Sequence, residues 1–221
     1  MRGAFIVFEG IDGAGHSTHA GKLQNWIKNT MPNYRSKVIV TKEPTDGPIG
    51  AIIKLALEER IKLSPEALAL AFATDRADHI SYEILPKLRE GYVVICDRYY
   101  LSSFAYQSVA GIDLNWLIAI NSKCIRPDIT ILLDAPAEVC WRRIPRDRPH
   151  RELFKHPEKL ENVRQAFKHI AKILVERYNE HIVIIDTEQP IESAHREVVT
   201  YVKEILERSN GKPAWTRTLI G

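Results

Sequence analysis

Five short apolar runs, rich in β-branched residues, set the frame of this chain: AFIVF (4–8), KVIVT (37–41), YVVIC (92–96), ITILL (129–133) and HIVII (181–185). Each is nearly continuous in apolar character rather than alternating, the pattern of strands buried on both faces. Helical patterns lie between them. Leu23, Trp26 and Ile27 recur at i, i+3, i+4. Ser64-Pro65 is an N-cap followed by proline at the first helical position, and opens a long helix expected to end near Gly91. Asp113 can cap LNWLIAINSK, and IESAHREVVTYVKEILERSNG is amphipathic and is expected to close at Gly211. Strands alternating with helices imply an α/β fold in three layers, a mostly parallel sheet with helices on both faces. A chain of 221 residues reads as one domain, 1–221.

In such a sheet, ligands gather at the carboxyl ends of the strands. A glycine loop follows the first run, and Thr41-Lys42-Glu43-Pro44 closes the second. Asp97-Arg98-Tyr99 follows the third, Asp134-Ala135-Pro136 the fourth and Asp186-Thr187 the fifth. A buried strand that ends in an Asp-Arg pair marks a site rather than a bland turn. A net charge of +3 is too small to argue for nucleic acid without a local patch. Cys96, Cys124 and Cys140 form no C-x-x-C pair and read as small buried thiols in a reducing compartment. MRGAFIVFEG does not read as a leader, and no apolar run reaches membrane-spanning length. The expectation is a cytoplasmic chain with neither membrane nor nucleic-acid partner.

FEGIDGAGHSTHA, residues 8–20, carries the sharpest local signal. Gly10, Gly15 and Ser17 fit the phosphate-binding pattern G-x-x-x-x-G-K-[ST], with His16 at the lysine position. Gly10, Gly13 and Gly15 let the backbone turn its N–H groups inward. With Ile11, Asp12, Ala14 and Thr18 they form a cradle for phosphate at a helix N-terminus. Ser17 is placed to give its hydroxyl to Mg²⁺ on the β- and γ-phosphates. Asp97 can contact magnesium through water or position an acceptor oxygen, and Arg98 can fork onto a phosphate. WRRIPRDRPHRELF (141–154) holds Arg142, Arg143, Arg146, Arg148 and Arg151, and its two prolines make it a loop or flap. It reads as a solvated basic patch, a nucleic-acid contact, or a lid that closes guanidiniums over a transferring phosphoryl group. The lid suits a phosphate-loop chain best, and the absence of interleaved aromatics disfavours nucleic acid.

Taken together, FEGIDGAG-ST, TKEPTDGPIG, LALAFATDRADHI, ILPKLREGYVVICDRYYLSSFAYQ, LLDAPAEVCWRR and VIIDTEQPIE resemble the thymidylate kinases over nearly the whole chain. The resemblance implies a P-loop NTPase-type fold with a five-stranded parallel sheet, a basic lid at about 142–154, and a homodimer. It implies transfer of phosphate from ATP to dTMP, with Mg²⁺. By the same resemblance Asp12 binds the sugar 3′-hydroxyl and helps organise magnesium. Lys42 stands near the acceptor phosphate where the family usually has arginine. Phe72 stacks on thymine, Arg76 donates to O4 and Arg98 holds the acceptor phosphate. Ser103 and Tyr106 sit by base and sugar, Tyr106 crowding the 2′ position. Thr187, Gln189 and Pro190 border the adenine. One subclass of the family carries a catalytic arginine in the glycine loop, at the position of Gly13 here, and the other carries basic residues in the lid. This chain resembles the lid type, with Arg143, Arg146 and Arg148 as candidates.

His16 is the departure from the pattern. An imidazole is shorter than lysine and, unperturbed, is charged only below about pH 6.5. Facing phosphate favours its charged form and burial opposes it. Two further readings therefore stand beside a dTMP kinase: a kinase of broader monophosphate specificity, and a weakly catalytic nucleotide-binding protein.

Overall fold

The structure is a computed structural model that describes residues 2–144, 157–207 and 213–220. Its sheet has five parallel strands: β1 (Ala4–Glu9), β2 (Val38–Lys42), β3 (Val93–Asp97), β4 (Ile129–Asp134) and β5 (Ile182–Asp186). Their order across the sheet is β2-β3-β1-β4-β5. Helices α1 (His16–Thr30) and α9 (Ile191–Glu207) pack together on one face. On the other lie α3 (Pro65–His79), α5 (Tyr100–Val109) and α8 (Pro157–Tyr178), with α2 (Pro48–Leu57) packed on α3. Right-handed crossovers require this division: the step from β1 to β2 runs one way along the sheet, and the later steps run back. The loops after β1 and β3 thus leave toward opposite faces, and their divergence opens a crevice. Arg98 N donates to Phe8 O at 2.9 Å and ties the two loop roots together.

All five runs are strands, displaced by at most about one residue, but only three are buried along the apolar length of the strand. β1, β3 and β4 are covered on both faces. β2 and β5 are the sheet edges, where Val40 stays 39 % exposed and Ile184 51 %. Continuous apolarity therefore overstated the burial of the edge strands. Ser64 caps α3 as expected, its hydroxyl accepting from Ala67 N, and Asp113 caps α6 (Leu114–Ile120) through Trp116 N. The long helix does run on to Arg89, but through a π turn at Ile80–Ile84 before α4 (Leu85–Arg89). Pro86 explains the turn. In an uninterrupted α-helix its ring would strike the Tyr82 carbonyl, and the wider π turn avoids that clash.

Trp141, Arg142 and Arg143 depart from the flap expectation. They form the last turn of α7 (Ala137–Arg143). No helix breaker precedes Pro145, and Ile144 turns extended as the residue before a proline does. The rest of the segment, with Arg146, Arg148 and Arg151, lies outside the described residues, as does Gly211. All three cysteines are buried and free. Residues 213–220 return along the base of the molecule. There Arg126 donates to the carbonyls of Tyr178, Thr218 and Leu219 at 2.6, 2.8 and 2.9 Å.

Candidate active site

Gly15 caps α1 in the left-handed conformation (φ +101°), which turns the start of the helix toward the loop. Gly13 has φ +86°, and a Cβ there would lie 2.2 Å from the Cys140 carbonyl, so the loop rests directly on α7. Ile11 and Ala14 are buried and anchor the loop in the core, while Ser17 and Thr18 at the helix start are exposed. The orphan N–H groups of this helix N-terminus face a cavity of about 350 Å³. Arg143, Thr187 and Gln189 line its far wall, and Arg143 donates to Thr187 O at 2.9 Å. Pro190 is not part of that wall; its carbonyl instead receives Ser193 N at the start of α9.

A second cavity, of about 510 Å³, opens on the other side of the loop. It brings together Asp12, Lys42, Phe72 and Arg76 with Arg98, Ser103 and Tyr106. Helical spacing accounts for much of this. Phe72 and Arg76 are four apart on α3, and Ser103 and Tyr106 are three apart on α5, so each pair shares a face. Gln107, four after Ser103, shares the same face and lines the same cavity. Among the described residues, both polar atoms of its buried amide lack a hydrogen-bond partner. That spacing could have identified Gln107 from sequence, yet no role was assigned to it. A wider groove of about 670 Å³ reaches Ser17 and Asp97 from the β2 edge, but neither the loop glycines nor Phe72 and Arg76 line it.

Two arginines organise the second cavity. Arg76 is 1 % exposed; its Nε donates to Glu43 Oε2 at 2.8 Å and its Nη2 to Ser103 Oγ at 2.9 Å. Arg98 adopts a left-handed backbone (φ +71°), uncommon for a residue with a side chain. Its fork donates to Gly10 O (3.1 Å), Ser102 Oγ (3.0 Å) and Asp12 Oδ1 (3.1 Å), and its Nη2 lies 3.0 Å from His16 Nε2. Burial pushes the Tyr106 phenol well up, and the adjacent Asp12 adds to this, so it stays protonated and donates to Asp12 Oδ2 at 3.1 Å. Glu9 pins the turn that carries Arg98. It accepts from Tyr99 N (2.8 Å), Ser102 N (3.1 Å) and Ser102 Oγ (2.5 Å), and burial raises its carboxyl to about 7.

His16 is 5 % exposed and is wedged between the two ends of the Asp97-Arg98 pair. Its Nδ1 is 2.7 Å from Asp97 Oδ1, close enough for an ion pair but out of line for a hydrogen bond. With Nε2 facing an obligate donor on Arg98, the contacts fit an imidazole that accepts at Nε2. Asp97 also receives the Ser17 hydroxyl. Burial opposes its charge, but His16, Ser17 and Arg98 outweigh that and hold the carboxyl down at about 2. A third cluster, Glu43, His79 and Cys96, lies beneath the cavity. Its carboxylate already serves Arg76 and His79, and burial raises the thiol well above its usual range, so it reads as a support for Arg76.

Comparison with known proteins agrees with this geometry. The family description "Thymidylate kinase" matches residues 8–198. The chain is 44 % identical over 211 residues to a probable thymidylate kinase of Pyrococcus horikoshii, covering 93 % of this chain and 98 % of the relative. A probable thymidylate kinase of Thermococcus kodakarensis is 40 % identical over 210 residues, covering 91 % and 98 %. One from Pyrobaculum calidifontis is 37 % identical over 203 residues, covering 91 % and 97 %. With its parallel sheet, its glycine loop and the paired cavities on either side of it, the chain belongs to the thymidylate kinase family and is a nucleoside monophosphate kinase.

Proposed function

We propose that this protein transfers a phosphoryl group from ATP to dTMP, giving dTDP and ADP for dTTP synthesis. One observation carries the reading: the two cavities share His16 and Ser17. A nucleotide in each would bring its phosphates together at the N-terminus of α1, where positioning and fixed charge do most of the work of phosphoryl transfer.

On the acceptor side, Phe72 stacks on the base and Arg76 donates to O4. The Gln107 amide supplies an acceptor for N3–H and a donor for a neighbouring carbonyl. Cytosine offers a donor where Arg76 also donates and no hydrogen at N3, so it fails on both counts. Tyr106 and Asp12 face the sugar, and Tyr106 fills the space of a 2′-hydroxyl. Arg98 and Lys42 take the acceptor phosphate.

On the donor side, the loop from Gly10 to Thr18 cradles the phosphates and Thr187, Gln189 and Pro190 border the adenine. Ser17, Asp12 and Asp97 suit Mg²⁺, being hard oxygen donors, and the Asp97 Oδ1 atom has no aligned hydrogen-bond partner. When bound there, the ion neutralises polyphosphate charge. Arg143, with Arg146 and Arg148, supplies further cations to the transferring group, and His16 stands at the position of the loop lysine. A homodimer is part of the proposal, and exposed apolar residues such as Ile52, Leu70 and Tyr82 are available to it. A cytoplasmic location completes the proposal; among the described residues no helix is long and apolar enough to cross a membrane.

His16 gives the weakly catalytic reading its one specific support, since both its ring nitrogens face Asp97 and Arg98. A coupled ADP-release assay across dTMP, dUMP, UMP, dCMP and dGMP decides. The expected order is dTMP, then dUMP, with UMP and dCMP weaker by about ten- to a hundredfold. Equal turnover of dCMP and dTMP would establish the broader kinase. Nucleotide binding without turnover would establish the binding protein, and His16→Lys should then restore activity.

A further inference from the structure

A guanidinium carries five N–H groups. Arg76 engages three: Nε with Glu43, Nη2 with Ser103, and Nη1 with Asn121 Oδ1 at 2.6 Å. The Tyr99 ring packs 5.4 Å from its Cζ. One N–H on each terminal nitrogen is left for a ligand in the acceptor cavity. Glu43 and Ser103 line that cavity, but Asn121 does not. It is the C-cap residue of α6, 45 positions along the chain from Arg76.

Asn121 is itself oriented. Its Nδ2 donates to Leu117 O at 2.8 Å, which fixes the amide so that Oδ1 is the atom turned to Arg76. The turn behind it is held by the C-terminal residues. Cys124 N donates to Asn121 O at 2.9 Å, and Leu219 N donates to Cys124 O at 2.8 Å. Arg126 then clamps Thr218 and Leu219, and Tyr99, the residue stacked on Arg76, donates from its hydroxyl to Ile125 O at 3.2 Å. The residues that read the base thus rest on a segment outside the family match at 8–198.

We propose that Asn121 is a positioning residue that determines base specificity: it holds Nη1 so that the remaining N–H groups of Arg76 aim at O4 of a thymine or uracil acceptor. The inference rests on the reading of this cavity as the dTMP site. Without the clamp the fork keeps its bonds to Glu43 and Ser103 but loses the one that fixes Nη1, and a buried donor is left without its partner. A base with an acceptor at that edge loses an aimed hydrogen bond. Cytosine, with a donor there, has none to lose, so selectivity changes more than stability or rate.

The experiment measures dissociation constants of dTMP and dCMP by calorimetry, with kcat and KM, for the whole protein and two variants. Asn121→Leu keeps the branched outline at a somewhat larger volume and removes the acceptor; Asn121→Asp keeps the acceptor. In the leucine variant dTMP should bind about tenfold more weakly and dCMP almost unchanged, with kcat within about threefold of wild type. The aspartate variant should keep the dTMP/dCMP ratio within about threefold of wild type. An unchanged ratio in a folded Asn121→Leu protein overturns the proposal. Should that protein not fold, Asn121→Ala takes its place, and an unchanged ratio in that variant overturns the proposal equally. Wild-type protein that binds no dTMP would sink the functional reading as well; wild type that prefers dTMP, with an indifferent leucine variant, sinks this inference alone.

Discussion

Arg76 is held by three side-chain hydrogen bonds and Arg98 by four polar contacts, all on the acceptor side of the glycine loop. Across the loop Arg143 is exposed and makes one, to the carbonyl of Thr187. The two sides therefore handle charge differently. On the proposed assignment the acceptor cavity fixes its donors in advance, which would reduce the ordering cost of binding and let geometry select the base. The proposed donor cavity offers backbone N–H groups and a helix end, with the exposed Arg143 at the end of α7 on its wall.

The sharpest way to break this contrast is Arg98→Lys. Lysine keeps the charge but cannot reach Gly10, Asp12, Ser102 and His16 together. We expect kcat/KM for dTMP to fall by about 10²–10³ in steady-state kinetics; a loss below threefold would mean that the fork does not organise the acceptor side.

The next effect is on stability. The Glu9 carboxyl is raised from 4.5 to about 7 by burial, so the folded state keeps a proton that the unfolded state releases near 4.5. Stability from this group is complete below about pH 4.5 and is lost as pH rises through about 7. Urea unfolding between those limits should show a decline of roughly 3 kcal/mol at most that is absent from Glu9→Gln. Parallel curves for the two proteins would show that Glu9 titrates normally and that the turn it pins is less enclosed than the geometry says.

Smaller effects separate the two cavities directly. Gln107→Leu should raise KM for dTMP about tenfold and leave KM for ATP alone. Arg143→Ala, at an exposed site, should raise KM for ATP only about threefold and leave dTMP alone. The double variant should show both changes independently, since the two residues share no partner. Cross-effects of either substitution on the other substrate would erase the distinction between the sides.

The sequence made some of this legible because local spacing maps directly onto faces. Phe72 and Arg76, or Ser103 and Tyr106, need only a helix to converge. The glycine loop announces its own conformation, and strand-end charges mark the sheet's carboxyl edge. Gln107 had the same helical spacing and was missed because glutamine is ordinary on helices; only its unpartnered amide singles it out. Asn121 and Glu9 were beyond reach, one brought to Arg76 from the end of another helix, the other hidden in a strand where its charge reads as an exception. Edge position, which exposes Val40 and Ile184, depends on strand order, and apolar runs do not encode it. Likewise the helical start of the arginine segment follows from the absence of a breaker before Pro145, a weaker signal than the prolines after it.

The contact between Gly13 and the Cys140 carbonyl bears on how such a protein can change over time. In the related subclass an arginine occupies the Gly13 position. Here any side chain would meet backbone at 2.2 Å and would also sit at a positive φ. Gly13→Arg is therefore not a gain of one cation but a displacement of α7, the helix from which the arginine-rich segment departs. An arginine could be accommodated at this position only after α7 had shifted away from the loop. Although a single nucleotide change can turn a glycine codon into an arginine codon, the backbone contact means that the change cannot be made alone.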